Sequence, residues 1–124
     1  MTIAEVSKKY ELTTDTLRYY ERIGLIPAVN RTQSGIRNYS EADCRWVSFI
    51  KCMRDAGIPV EALTEYISLF QQGSSTDGAR KQILIDQRKL LLERMEHMKK
   101  TLKLLNTKIE RYEQLIIPAE GGLI

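Results

Sequence analysis

The stretch Thr13-Thr14-Asp15-Thr16-Leu17-Arg18-Tyr19-Tyr20-Glu21-Arg22-Ile23-Gly24 decides the fold. Thr13 is a good helix N-cap, Asp15 puts negative charge in the first turn where the helix dipole favours it, and Gly24 suits a left-handed C-cap position. Upstream, Thr2 can cap a short helix carrying Ile3, Ala4 and Val6, with a break around Tyr10 to Leu12. Two short helices joined by a tight turn read as a helix-turn-helix. The second helix carries Arg18, Tyr19, Tyr20 and Arg22. Arginine can bond guanine edges or phosphates, and a tyrosine hydroxyl can bond phosphate, so this is the candidate recognition helix. Periodicity does not separate Tyr19 from Tyr20 as the one that packs inward.

Downstream the pattern changes. Leu25, Ile26, Pro27 and Val29, then the turn-forming Gln33-Ser34-Gly35, then Ile36 to Tyr39, predict a short β-hairpin. Arg31 and Arg37 flank its turn, as a wing tracking a phosphate backbone requires. Ser40-Glu41-Ala42-Asp43 has the form of a capping box. The helix it opens carries Ala42, Trp46, Phe49, Ile50 and Met53 on one face and ends at Gly57. Pro59, at a tolerated first-turn position, starts another helix with Val60, Leu63, Tyr66, Ile67 and Phe70.

Beyond a Gly- and Ser-rich loop comes the clearest periodicity of the chain. Leu84, Leu91, Met95, Met98, Leu102, Leu105, Ile109, Tyr112 and Ile116 fall on alternating three- and four-residue steps, interrupted only at Arg88 and ended by Pro118. A stripe two positions wide per heptad is a coiled-coil seam, narrower than a globular core face. The helix would be about 50 Å long, too long for the small N-terminal domain to cover. Each large side chain is worth roughly 1.5–3 kcal/mol of burial, so a second copy of the same helix is the economical cover, with folding back onto the N-terminal domain as the alternative. The periodicity leaves the direction of the pair open. His97 lies off the seam with no ligand partners nearby, so no metal role is expected for it.

The whole sequence sets the bounds. Its 124 residues allow one small domain plus an extension, and a formal net charge of +3 permits nucleic-acid binding without demanding it. With no apolar run near 18 residues and no signal-peptide pattern, the chain is expected to be cytoplasmic, with no membrane partner. The domains expected are a DNA-binding domain over 1–71, a linker over 72–78, a dimerisation helix over 79–117 and a tail over 118–124. An enzyme is not expected. There is no Cys-x-x-Cys pair, no Gly-rich phosphate loop, and the one histidine is remote in sequence from both cysteines.

The run Thr16-Leu17-Arg18-Tyr19-Tyr20-Glu21, with Gly24-Leu25-Ile26, Gly35-Ile36-Arg37-Asn38-Tyr39 and Met53-Arg54-Asp55-Ala56-Gly57-Ile58, resembles the MerR family of transcription regulators. The resemblance covers almost the whole chain. It implies a mainly α fold, a winged helix-turn-helix domain with a small β-hairpin wing, followed by a long helix pairing as an antiparallel coiled-coil homodimer. It also implies binding to double-stranded promoter DNA with an overlong spacer, and activation by distorting that spacer so that RNA polymerase meets both promoter elements in register. By position, Arg18 and Tyr19 would contact DNA and Tyr20 would be at least partly structural. Arg37 and Tyr39 would serve the wing, and Arg54 is a weaker phosphate candidate. A DNA-bending architectural or excision-type winged-helix protein is the alternative. The long coiled coil argues against it.

The two cysteines, Cys44 and Cys52, lie eight apart on one helix and cannot pair with each other. No cysteine stands where metal-sensing members of the resembled family carry them, and two cannot supply an iron–sulfur cluster. No cofactor is expected. No large C-terminal ligand domain is expected either, because few residues follow the coiled coil. The chain looks like the small NmlR/AdhR-like branch, which responds to aldehydes, other carbonyl electrophiles or nitrosative stress. That branch's key cysteine lies in a motif like Phe49-Ile50-Lys51-Cys52-Met53-Arg54. With the core face centred near Trp46, Ile50 and Met53, Cys52 is expected at the edge of the packed face and Cys44 in solvent.

Overall fold

The computed structural model describes residues 1–118. Its helices are α1 (Ile3–Tyr10), α2 (Thr14–Arg22), α3 (Glu41–Asp55), α4 (Val60–Gln71) and α5 (Asp77–Pro118), with a 3₁₀ turn at Ser74–Thr76. Side-chain caps explain where the first three begin. Thr2 Oγ1 accepts from the Glu5 N–H at 3.1 Å and Glu5 returns the bond to the Thr2 N–H at 3.0 Å. Thr13 Oγ1 accepts from the Thr16 N–H at 3.0 Å. Ser40 and Asp43 exchange bonds of 3.1 and 2.9 Å in a second capping box. Each cap satisfies N–H groups that the helix itself leaves without partners. Pro59 sits at the N-cap of α4, one place earlier than its sequence position suggested.

Gly24 (φ +81°) and Gly57 (φ +84°) take the left-handed conformation that ends their helices. The break between α1 and α2 uses Glu11 at φ +55°. A left-handed conformation costs a non-glycine residue roughly 1–2 kcal/mol, and bonds around the turn offset it. The Leu12 N–H donates to Ser7 O at 3.1 Å, Ser7 Oγ donates to Leu12 O, and Lys51 Nζ donates to Tyr10 O at 2.5 Å.

The core gathers residues from all four short helices and the loops between them. Val6, Leu17, Val47 and Ile50 are fully buried, joined by Leu25, Ile26, Tyr39, Leu63 and Ile67. The expected β-hairpin is present only in part. Residues 29–38 double back, with the Asn38 N–H donating to Asn30 O at 2.8 Å and the Thr32 N–H to Ile36 O at 2.7 Å. A single antiparallel bridge joins Arg31 to Arg37, and no strand forms among the described residues. The limbs are too short, and too rich in turn residues, to extend a ladder further.

Helix α3 corrects the reading of the cysteines. Its buried stripe is Asp43, Cys44, Val47 and Ile50. Trp46, Phe49 and Met53 are only half-buried and Ala42 is exposed. Trp46 meets Phe70 and Tyr66 of α4 edge-on, with ring centroids 4.9 and 6.3 Å apart. The helix therefore packs on two sides. Weighting the large aromatics displaced the inferred core face by roughly a quarter turn of the helix. Cys44 is buried at 6% exposure, with its Sγ 3.8 Å from Met1 Sδ, and Cys52 is exposed.

Two compact units divide the chain, Met1–Gln87 and the segment from Arg88 onward. In the first, Thr76 Oγ1 donates to Leu69 O at 2.7 Å, Arg80 Nε donates to Thr76 Oγ1 at 3.1 Å, and the Arg80 guanidinium lies 5.3 Å from the Phe70 ring centroid. In the second, the apolar side chains are open to solvent: Met98, Leu102 and Tyr112 are each 58% exposed or more. Met95, Leu105 and Ile109 are exposed too, as is Leu84 in the first unit, while Leu91 is half-buried. The Ile116 side chain and the expected tail beyond 118 lie outside the described residues. Among the described residues no helix is long and apolar enough to cross a membrane.

Candidate nucleic-acid interface

Helix α2 turns Leu17 and Tyr20 into the core, three residues apart on one face. The same periodicity turns Arg18, Tyr19 and Arg22 outward. Arg18 is about half exposed, and its Nη1 lies 3.0 Å from Asp15 Oδ1 and 3.4 Å from Thr14 Oγ1. An ion pair this exposed is weak, so it holds the guanidinium loosely and can exchange for a stronger partner. Tyr19 is 39% exposed, and the Arg22 guanidinium sits 5.6 Å from its ring centroid.

Tyr20, placed on the recognition helix but expected to be at least partly structural, is 6% exposed: its ring is core and not part of the outward face, which corrects its place among the candidate DNA contacts. Burial raises its pKa, with Asp55 adding to the effect and Arg54 opposing it, so the phenol stays neutral at physiological pH. Tyr39 is corrected in the same way. Its side chain is 2% exposed, its hydroxyl is buried without a hydrogen-bond partner, and its N–H donates to Met1 O at 2.7 Å. An aromatic next to a wing arginine reads naturally as a contact residue, but the loop here folds the ring beneath itself.

The two wing arginines differ. Arg31 is exposed and its Nη1 donates to Gly35 O at 3.0 Å, closing the turn from within. Arg37 is half-buried and donates from Nε to Glu21 Oε1 at 2.7 Å. Glu21 Oε2 accepts the Val29 N–H at 3.0 Å. One carboxylate on α2 thus holds both limbs of the wing. Burial alone would raise the pKa of Glu21. The bonds from Arg37 and Val29 and the charges of Arg37 and Arg31 outweigh burial, so its pKa lies below the ordinary value. Sequence reading did not single out Glu21. The available signal was an acid in the last turn of a helix, where the dipole disfavours it unless something compensates.

Arg54 Nη1 donates to Ile58 O at 2.7 Å, bracing the turn between α3 and α4, so in this structure it serves the fold. Among the described residues, no three His, Cys, Asp or Glu side chains come together as a metal site would need. The arrangement suits a polyanion: an outward helix face bearing Arg18, Tyr19 and Arg22, joined through Glu21 to a loop bearing Arg31 and Arg37.

Comparison with known proteins agrees with this geometry. Residues 1–81 match the model of the MerR HTH family regulatory proteins. The chain is 58% identical over 93 residues to the HTH-type transcriptional regulator AdhR of Bacillus subtilis, an alignment covering 75% of this chain and 66% of AdhR. A crystal structure of a MerR family transcriptional regulator from Listeria monocytogenes superposes with a TM-score of 0.94 at 43% identity, covering 99% of this chain and 93% of that one. HiNmlR, described as a MerR family regulator lacking the sensor domain and bound to promoter DNA, superposes with a TM-score of 0.85 at 26% identity, covering 98% of this chain and 93% of that one. The chain belongs to the MerR family of helix-turn-helix proteins and is a DNA-binding transcription regulator, not an enzyme.

Proposed function

We propose that the protein is a homodimer that binds an inverted repeat in a promoter with an overlong spacer, and that it acts by distorting that spacer. Arg18, Tyr19 and Arg22 would contact the major groove, with Arg31 and Arg37 on the flanking phosphates. The observation that carries this reading is the pairing of that outward arginine-bearing surface with a long helix whose apolar side chains are open to solvent. Two such surfaces, held apart by paired α5 helices running antiparallel, would meet two half-sites. Bending and untwisting the DNA between them costs energy that the paired contacts can supply. RNA polymerase then enters by function, as the reader of the realigned promoter. HiNmlR, bound to promoter DNA, supports the DNA partner.

We also propose that an electrophile- or nitrosative-stress signal is received at a cysteine, as the resemblance to the NmlR/AdhR-like branch implies; the 58% identity to AdhR supports that branch. Cys52 is the proposed sensor, now for accessibility: its thiol is exposed on α3, where an electrophile can reach it, while Cys44 is buried. An adduct needs only to favour one arrangement of the bound dimer over another, without changing overall affinity. The test is footprinting on the DNA upstream of the gene, then in vitro transcription from the footprinted promoter with and without aldehyde or nitrosothiol. Cys52→Ser should bind like the parent and fail to induce, whereas Cys44→Ser should induce. Full induction of Cys52→Ser removes Cys52 from the mechanism, and the absence of any footprint removes the promoter reading.

A further inference from the structure

We infer that Glu21 is a positioning residue that locks the wing to the recognition helix, so that α2 and residues 29–38 meet DNA as one preformed surface. The inference rests on the DNA-binding reading of that surface. A carboxylate beside a DNA-binding face is unfavourable in itself, because it repels phosphate. Its geometry offsets that repulsion. Oε1 takes Arg37 Nε at 2.7 Å and Oε2 takes the Val29 N–H at 3.0 Å, so one side chain reaches the incoming and the outgoing limb of the wing. The pair is shielded, with Arg37 and Glu21 side chains 22% and 14% exposed. Other wing bonds, Asn38 to Asn30, Thr32 to Ile36 and Arg31 to Gly35, lie within the loop and set its shape, not its attachment to α2.

The consequence for Arg37 is specific. Its Nε is engaged by Glu21, which leaves the two terminal nitrogens of the guanidinium to bond a phosphate. A guanidinium anchored on one edge loses less freedom when its other edge binds, which is the advantage of preorganisation. Lysine, with one rotatable ammonium, cannot serve both partners in this way.

Two accounts of Glu21 make opposite predictions. If the carboxylate is only a negative charge near DNA, Glu21→Gln removes repulsion and tightens binding to every duplex. If it positions the wing, Glu21→Gln keeps the shape but cannot accept from both Arg37 and Val29, because its amide nitrogen is a donor. Binding to the specific site then weakens while binding to unrelated DNA is kept or rises.

The experiment measures the affinity of the full-length protein for the footprinted duplex and for a shuffled duplex of equal length, at matched salt. The ratio of specific to non-specific affinity should fall about tenfold in Glu21→Gln, the scale of losing a charged hydrogen bond. Arg37→Lys keeps the charge and should show a similar fall. The double variant should be little worse than either, because the two residues act through each other. Amide exchange at Val29 and Asn38 should speed up in Glu21→Gln while that of Val47 in the core holds, which separates a loosened wing from a damaged fold. Tighter binding of Glu21→Gln to both duplexes, or an unchanged ratio with an unchanged Val29 amide, overturns the proposal. A parent protein that fails to prefer the footprinted duplex counts against the DNA-binding reading instead, and the Val29 exchange still reports on the lock.

Discussion

The unit Met1–Gln87 and the helical segment from Arg88 onward solve the same problem differently. The first makes its own core: Val6, Leu17, Val47 and Ile50 are fully buried, drawn from α1, α2 and α3. The second has a comparable supply of large apolar side chains and leaves them in solvent, with Met98 65% exposed, Leu102 58% and Leu105 55%. A few exposed apolar residues are ordinary on any surface, but a contiguous stripe marks an interaction site. The first unit is complete in one chain. The second leaves its stripe open, and on the proposed reading a second copy of α5, with apolar side chains at the same three- and four-residue spacing, covers it.

The largest expected effect comes from breaking that stripe. Leu102→Glu combined with Leu105→Glu removes four leucines from a two-fold pair, roughly 6–12 kcal/mol of apolar burial. Sedimentation should then show monomers, and specific DNA binding should be lost. The fold of the first unit should persist, seen as an unchanged tryptophan environment at Trp46. A double variant that still sediments as a dimer would falsify the seam. The complementary change is Ile50→Ala in the first unit. It should cost about 2–5 kcal/mol of stability, because it leaves a cavity in a packed interior, without giving monomers wherever the protein stays folded.

Arg18→Ala sharpens the comparison on the DNA side. Arg18 makes exposed contacts with Asp15 and Thr14, so its loss should barely move the melting temperature. Specific affinity should fall by about 1–3 kcal/mol, with preference relaxed at one base position, if the side chain reads a base edge. Equal binding of parent and variant at matched salt would place the recognition surface elsewhere.

A smaller effect follows from Glu21. Its pKa in the folded protein lies below the ordinary value of 4.5. A lowered folded pKa contributes stability that is present above the unfolded value and is lost as pH falls through the folded value. The stability difference between the parent and Glu21→Gln should therefore be steady near neutrality and shrink below about pH 4.5, as chemical denaturation at successive pH values would show. A difference that widens on acidification would mean that the Arg37 and Val29 bonds do not set the titration of Glu21.

Most of this architecture was legible in the sequence because its signals are local. Thr2, Thr13 and Ser40 cap helices with bonds reaching only three residues ahead, and Gly24 and Gly57 end helices through their own backbone freedom. The apolar stripe of α5 was legible because a helix repeats faithfully along a long, uninterrupted run. What was missed depends on tertiary neighbours. Which side of α3 is core depends on helices packing against it from two directions, and that exchanged the expected places of Cys44 and Cys52. The role of Glu21 depends on Arg37, sixteen residues away. Tyr39 stands in a run that reads as wing, and only the folded loop shows its ring buried.

Tyr39 also gives the smallest and most pointed test of the claim that the first unit is complete in one chain. Its hydroxyl is the exception in that core, buried and without a hydrogen-bond partner. An unpaired buried hydroxyl carries a desolvation cost, whereas the same ring without the oxygen carries none. Burial holds its pKa above the ordinary tyrosine value, so the group is a neutral phenol throughout the range in which the protein would be studied. Tyr39→Phe keeps the ring, the packing and the backbone bond from Tyr39 N–H to Met1 O. It should therefore leave stability unchanged or raise it by up to about 1 kcal/mol, a rise of roughly 4–8 °C in melting temperature for a domain of this size. DNA affinity should not change, because the side chain is closed off from the outward face that carries Arg18 and Tyr19. A variant that melts lower than the parent would show that the hydroxyl bonds to something in solution, and a variant that melts normally but binds DNA more weakly would return Tyr39 to the interface. Either result would mean that this part of the first unit is not complete in one chain.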